Sequence, residues 1–269
     1  MGVESFLGYA PGKAVFPSCC GLKGGAIQNM LPSKSEVLIL YDNQAIRDDL
    51  LPSHGFSCLL RTAGGERVLF DTGESGPLLL ANMGRLGIEP QSIQKVVLSH
   101  EHYDHVGGLS ALLPYLTDAE IFILSSFSSA FEHTITSFQV RVKRVGQATE
   151  IASGLFSTGE VAGTTGEQGL VIAGEKKALF LGGCCHPGVV KMVEVAARIT
   201  GQPVGGVLGG LHLYKSTDRA IVAVLRGLKD LGVDMIAPCH CTGFMGIDVA
   251  KELWESGFIQ AGVGTRLTW

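Results

Sequence analysis

The sequence predicts an α/β fold in one domain running from residue 36 to residue 269, and three observations predict it. Apolar residues make up 46% of the 269-residue chain, enough to bury a large core. From residue 36 onward, strand-like apolar runs alternate with stretches of helical periodicity. Three strand-like runs in the second half end in glycine- or proline-containing turns that carry a histidine, the place where α/β proteins put their chemistry.

Residues 1–35 contain several Gly and Pro and no sustained period, and read as an irregular arm. Residues 37–41, 56–61 and 67–70 read as strands, the last two joined by the hairpin signal Ala63-Gly64-Gly65-Glu66. A helix is predicted over 77–86, and a short strand over 96–98 runs straight into a histidine-rich segment. A helix over 109–116 and a strand over 121–124 follow. Residues 125–150, rich in Ser and Thr, read as a loop over the site; its basic run Arg141, Lys143 and Arg144 reads first as a solvated basic face, with pairing of a substrate phosphate as the alternative. Strands over 170–173 and 178–181 lead into Gly182-Gly183-Cys184-Cys185-His186-Pro187-Gly188 and a helix over 189–199. A strand over 204–208 ends in Gly209-Gly210-Leu211-His212. The helix over 217–231, opened by Thr217 or Asp218 and closed by Gly232, precedes a strand over 233–237 and Pro238-Cys239-His240-Cys241-Thr242-Gly243.

Composition narrows the function. A net charge of -4 offers no basic surface for a phosphate backbone, so no nucleic-acid partner is expected; a small-molecule substrate is. Seven cysteines, an odd number arranged as Cys19-Cys20, Cys58, Cys184-Cys185, Cys239 and Cys241, make a poor disulfide framework and point to a reducing compartment, the cytoplasm. Glu4 precedes Lys13, and Pro17 breaks the apolar run 14–22, so a signal peptide is not expected. No stretch is long enough to span a bilayer, so no membrane association is expected.

The chemistry concentrates in Ser99-His100-Glu101-His102-Tyr103-Asp104-His105-Val106-Gly107-Gly108. Imidazoles on alternate residues of an extended segment point the same way, and a following turn brings Asp104 and His105 beside His100 and His102. Gly107 and Gly108 permit the close turn this needs. Such a set holds one or two divalent transition metal ions, zinc first, with iron, manganese or magnesium compatible. The plainer alternative is a histidine-rich surface loop or a structural zinc site, which is usually closed by four ligands, often thiolates.

The segment resembles the signature motif of the metallo-β-lactamase superfamily, and Leu69-Phe70-Asp71-Thr72-Gly73 resembles that superfamily's first motif. The resemblance covers roughly residues 36–269 and implies a four-layer αββα fold, two packed mixed β-sheets with helices outside. Leu40-Tyr41-Asp42-Asn43, Gly55-Phe56-Ser57, Leu98-Ser99-His100, the segment 183–188, Gly210-Leu211-His212 and the segment 239–243 together are similar to one branch. Its members include synthases that join a pterin to an aminobenzene ribosyl phosphate; others are known only as metal-dependent hydrolases.

By this resemblance, His100 and His102 bind one metal, Asp104 and His105 serve a second, and His240 is the final ligand. The middle ligands depart from the common pattern. Ser157-Thr158-Gly159-Glu160 has no histidine, and the strand ends in Gly183-Cys184 where many relatives have Gly-Asp, with no carboxylate between Glu175 and Glu194. His186 is therefore expected to substitute as a ligand, and the two metal positions to differ in affinity. His212 is expected to line the pocket, and catalytic roles fall to Asp104 and His212. Cys184 reads as a buried inert thiol in preference to a thiolate ligand. Cys239 and Cys241 are expected to pack facing away from His240, and His54 and His133 to lie on the surface or in the core. Ser99 and Asp71 are expected to fix the motif through hydrogen bonds. The leading function is a hydrolase that uses metal-activated hydroxide on a small polar substrate, phosphorylated ones included. A pterin transferase and a mononuclear-iron oxidoreductase are the alternatives; a non-catalytic binder is disfavoured by the intact histidine motif.

Overall fold

A computed structural model of the chain describes residues 34–269. The expected arm, residues 1–35, lies outside them except for its last two positions, as do Cys19 and Cys20. Thirteen strands are present among the described residues: β1 (Glu36–Tyr41), β2 (Ser57–Arg61), β3 (Arg67–Phe70), β4 (Lys95–Val97), β5 (Ala119–Leu124), β6 (Val140–Val145), β7 (Thr149–Ala152), β8 (Leu155–Ser157), β9 (Leu170–Ile172), β10 (Ala178–Gly182), β11 (Val204–Gly210), β12 (Met235–Cys239) and β13 (Arg266–Thr268). The helices are α1 (Gly76–Arg85), α2 (Tyr103–Val106), α3 (Leu109–Leu112), α4 (Ser129–Thr136), α5 (Val189–Thr200), α6 (Asp218–Asp230) and α7 (Gly243–Trp254).

The strands form two mixed sheets, ordered β13-β1-β2-β3-β4-β5-β6 and β12-β11-β10-β9-β8-β7. Alternation along each strand decides what lies between and outside them. Val37, Ile39, Leu60, Val68, Phe70 and Val97 of the first sheet face Leu155, Leu170, Ile172, Leu179, Leu181 and Leu208 of the second. The intervening residues Leu38, Leu40, Leu59, Leu69 and Val96 turn outward against Leu79 and Met83 of α1 and Leu109 and Leu112 of α3. On the other outer face, Val171, Phe180, Val207 and Ile236 pack under α5, α6 and α7. This is the αββα layering expected.

The elements expected over 77–86, 189–199 and 217–231 are α1, α5 and α6, with Thr217 Oγ1 accepting from the Ala220 amide as the helix cap. The loop expected over 125–150 is instead α4, β6 and β7. Ser128 caps α4 by accepting from the Phe131 amide. Within the basic run, Val140 and Val142 pack against the outer core while Arg141 and Lys143 each lie 3.7 Å from Glu120 on the neighbouring strand β5. The run is the charged edge of the larger sheet, the position where charge blocks unwanted pairing. Among the described residues, no helix is long and apolar enough to cross a membrane.

Between β1 and α1, buried Asn82 ties the outer helical layer to the sheet. Its amide nitrogen donates to the carbonyls of Leu40 (3.0 Å) and Leu51 (2.9 Å), and its Oδ1 accepts from the Leu51 amide (2.9 Å). Asn82→Ala strands those backbone groups without partners and is expected to cost about 2–4 kcal/mol. Urea unfolding checks this: the midpoint should fall with an unchanged m-value.

Candidate metal centre

The C-terminal ends of β3 and β4 in one sheet and of β10, β11 and β12 in the other meet along one border, and the expected site residues leave the strands there. Asp71 follows β3, His100 follows β4, and His102, Asp104 and His105 wrap into α2. Cys184 and His186 follow β10, His212 follows β11 and His240 follows β12. Four of these turns bend through the left-handed region at non-glycine residues: Asp71 (φ 57°), Cys185 (61°), His212 (53°) and His240 (48°). Each costs of order 1–3 kcal/mol and persists because the surroundings hold it.

Buried polar groups aim each imidazole. Asp71 accepts from the Ser99 amide, from Ser99 Oγ and from His105 Nδ1, each at 2.7 Å. Ser99 Oγ donates to Asp71 and so accepts from His100 Nδ1 at 2.9 Å. These bonds assign the ring protons to Nδ1 in both histidines and leave each Nε2 with a lone pair toward the cleft. Asn43 Oδ1 does the same for His240 Nδ1 at 3.1 Å, while Asp42 Oδ1 takes the His240 amide at 2.8 Å. The expected roles of Ser99 and Asp71 match this geometry.

Glu167, unmarked by any motif, is the residue that sequence reasoning missed. Its buried carboxylate accepts from the amides of Cys184 (2.8 Å), Cys185 (2.8 Å) and His186 (2.9 Å), and from His186 Nδ1 at 2.9 Å. Next to it, Gln168 binds the opposite side of the site, its backbone amide donating to Ser99 O (3.0 Å) and its side chain to Leu98 O (2.8 Å). The pair sits in a glycine-flanked loop ahead of β9 with no spacing signal; only the fold brings it under the cluster.

Two donor groups result. Asp104, His105, Cys184 and His240 offer one ligand atom each, all within 4.8 Å of one another; His100, Cys184 and His186 do likewise. His102 Nδ1 lies 3.0 Å from His100 Nε2, extending the second group. Cys184 belongs to both, its Sγ 3.1 Å from His105 Nε2. Cys184 is buried as expected, and the turn at Cys185 brings its sulfur to the centre of the cluster, within reach of both donor groups. His186 stands where a substitute ligand was expected. Cys239 is packed in the core as expected; Cys241 is also buried but borders the cleft, because His240 starts a 3-10 turn that ends the extended alternation. His54 is also at the site, Nε2 3.3 Å from Asp104 Oδ2, while His133 is exposed on α4.

The electrostatics suit a cation. Burial, then repulsion from His105, drives the His100 pKa down to about 3; burial, then His240, does the same for His105. Both are neutral imidazoles, the form that ligates metals. Burial raises the Asp71 carboxyl to about 7 against the pull of His100 and Ser99. Burial also opposes ionisation of Asp104 and Glu167, but His240 and His105 hold Asp104, and His186 and His100 hold Glu167, well below the ordinary carboxylate range. Neighbouring Cys241, together with burial, pushes the Cys184 thiol far up. His240 Nε2 is buried and lies 3.1 Å from Asp104 Oδ2, yet is not aligned to hydrogen-bond and has no partner. An orphaned buried nitrogen among converging lone pairs fits a metal ligand.

The cluster floors an open cleft of about 730 Å³ whose mouth includes His54, His212, Tyr214 and Phe244. Arg141, Lys143 and Arg144 are not among its lining residues, and Arg144 is paired with Glu132 at 2.6 Å. Their strand forms the far edge of the sheet, which agrees with the solvated-face reading and not with the phosphate-pairing alternative.

Comparison with known proteins agrees with this geometry. The chain is 29% identical to 7,8-dihydropterin-6-methyl-4-(beta-D-ribofuranosyl)-aminobenzene-5'-phosphate synthase of Methanocaldococcus jannaschii, over 78% of this chain and 88% of the relative. The crystal structure of Tm1679, a metal-dependent hydrolase of the beta-lactamase superfamily, superposes with a TM-score of 0.74 at 27% identity, covering 87% of this chain and 98% of that one. The metallo-beta-lactamase fold protein YhfI from Bacillus subtilis shares the fold at a TM-score of 0.65 and 14% identity, covering 88% of this chain and 100% of that one. The family model matches residues 51–240, a span that begins before β2 and closes on the last histidine of the cluster: the chain belongs to the metallo-beta-lactamase superfamily.

Proposed function

We propose that the protein is a metal-dependent hydrolase of small polar substrates, phosphorylated ones included, working at two adjacent divalent ions. His100, His102 and His186 would hold one, Asp104, His105 and His240 the other. The observation that carries this reading is Cys184, one thiol common to both donor groups, at the strand end where many relatives place a carboxylate. A shared thiolate neutralises two like charges as a shared carboxylate does, so the departure at the middle ligands does not reduce the site to one ion. The set of imidazole, carboxylate and thiolate donors suits zinc first.

Ions held there would supply Lewis acidity and lower the pKa of a bound water. The protein's own groups do the rest. Asp104, held ionised, accepts a hydrogen bond from a water entering the cleft and so orients it. His54, exposed and 3.3 Å from that carboxylate, provides the route for a proton to solvent. His212 and Tyr214, their rings 5.6 Å apart, face the substrate at the mouth.

A transferase reading is favoured by one further observation: Tyr214 and Phe244, 52% and 79% exposed, line the mouth as flat apolar surfaces of the kind a planar ring stacks on, and the synthase relative joins such a ring to a ribosyl phosphate. Parallel assays of chromogenic phosphoesters and of pterin plus aminobenzene ribosyl phosphate separate the two. Phosphoester turnover supports the hydrolase; product formation only with both organic substrates overturns it.

His102→Ala is expected to lower activity by orders of magnitude with the circular dichroism spectrum retained, because the sheets and not the ions carry the stability. Metal analysis after dialysis should show His186→Ala losing more metal than His212→Ala, and Cys184→Ser weakening both positions. Glu167→Gln removes the charge that orients His186 and should weaken metal affinity about 10–100-fold, measured by competition with a chromophoric chelator.

A further inference from the structure

Two cleft residues belong to neither proposed ion position, yet both are brought there by strained backbone. His212 turns at φ 53° immediately after β11, and the turn begun by His240 at φ 48° swings Cys241 out of the extended path of β12. β11 and β12 are adjacent and parallel, so the two deviations deliver their side chains to one place. There the donor atoms of Cys184, His212 and Cys241 all lie within 4.8 Å of one another. Gly210 keeps the space open: a Cβ on it would meet Cys241 Sγ at 2.6 Å and the Cys184 Cα at 3.3 Å. Cys241 Sγ makes a long contact of 3.6 Å to Cys184 O and side-chain contacts with Cys184 and His212, so the two strained turns and the glycine serve to bring three donor atoms together.

The geometry points to a third metal position, formed by Cys184, His212 and Cys241 at the cleft mouth and selective for strongly thiophilic cations such as cadmium or cuprous ion. Two sulfurs and one nitrogen are a softer donor set than the imidazole and carboxylate groups below it, and thiolate donors select this class of ion. Three protein ligands leave a coordination position open, and His212, on the solvent side, directs it to the cleft. The position rests on the two-ion reading only in sharing Cys184.

The test is cadmium titration of protein already carrying its zinc. Wild type is expected to bind a further equivalent of cadmium while retaining zinc, with growth of the ultraviolet thiolate-to-cadmium charge-transfer band. Cys241→Ser should keep its zinc and lose both the extra equivalent and the band. His212→Ala, a change at an exposed side chain that spares the fold, should lose the extra equivalent as well. Cadmium bound only by displacing zinc, or bound equally by Cys241→Ser and wild type, overturns the third position. The zinc content of wild type and His102→Ala before cadmium is added reports on the two-ion reading separately.

Discussion

Two buried carboxylates that do not line the cleft determine what the cleft can do. Asp71 and Glu167 are fully buried, and each spends its oxygens on backbone amides of the turn that carries the site and on the Nδ1 of one histidine. A charge in that environment is tolerable only with such complete hydrogen bonding, so each carboxylate locks the turn above it into one conformation. The orientation of His105 and His186 follows, as does the placing of Cys184. Removing either carboxylate would leave the ligand atoms present but unaimed.

The same constraint explains why glycine and strained backbone concentrate here. Strands from two sheets must end together and turn sharply enough to face their side chains across a gap. Gly183 has no room for a Cβ beside Ser99 Oγ and the Asp71 carboxylate, and Gly108 none beside the Thr72 carbonyl. Asp71, Cys185, His212 and His240 adopt left-handed backbone where glycine would be the relaxed choice. The three hydrophobic layers and the helices over both sheets supply the stability that holds them so.

The centre of the cluster carries sulfur. The thiol of Cys184 occupies the position between two donor groups, while His186, two residues on, supplies a nitrogen from the same turn. The soft sulfur makes the centre of the cluster chemically different from one built around a carboxylate. Aromatic side chains, rather than the basic strand at the sheet edge, line the mouth of the cleft.

The sequence alone determined the alternation of strands and helices and the histidine cluster, because periodicities and the spacing of His100, His102, Asp104 and His105 are local properties; the layered αββα arrangement was what the resemblance of its motifs implied. It also marked His186 and His240, since each follows a recognisable apolar strand. Tertiary structure alone decided the rest. Glu167 lies 67 residues from His100 and meets His186 only because the loop before β9 crosses beneath two strand ends. His54 reaches Asp104 from a loop ahead of β2, and Cys241 enters the cleft because His240 ends the alternation its strand announces. The run around Arg141 looked like a loop because charged and β-branched residues alternate on an edge strand, whose one apolar face becomes evident only when β5 lies beside it. Contacts of this kind depend on which elements become neighbours, and no local pattern encodes that.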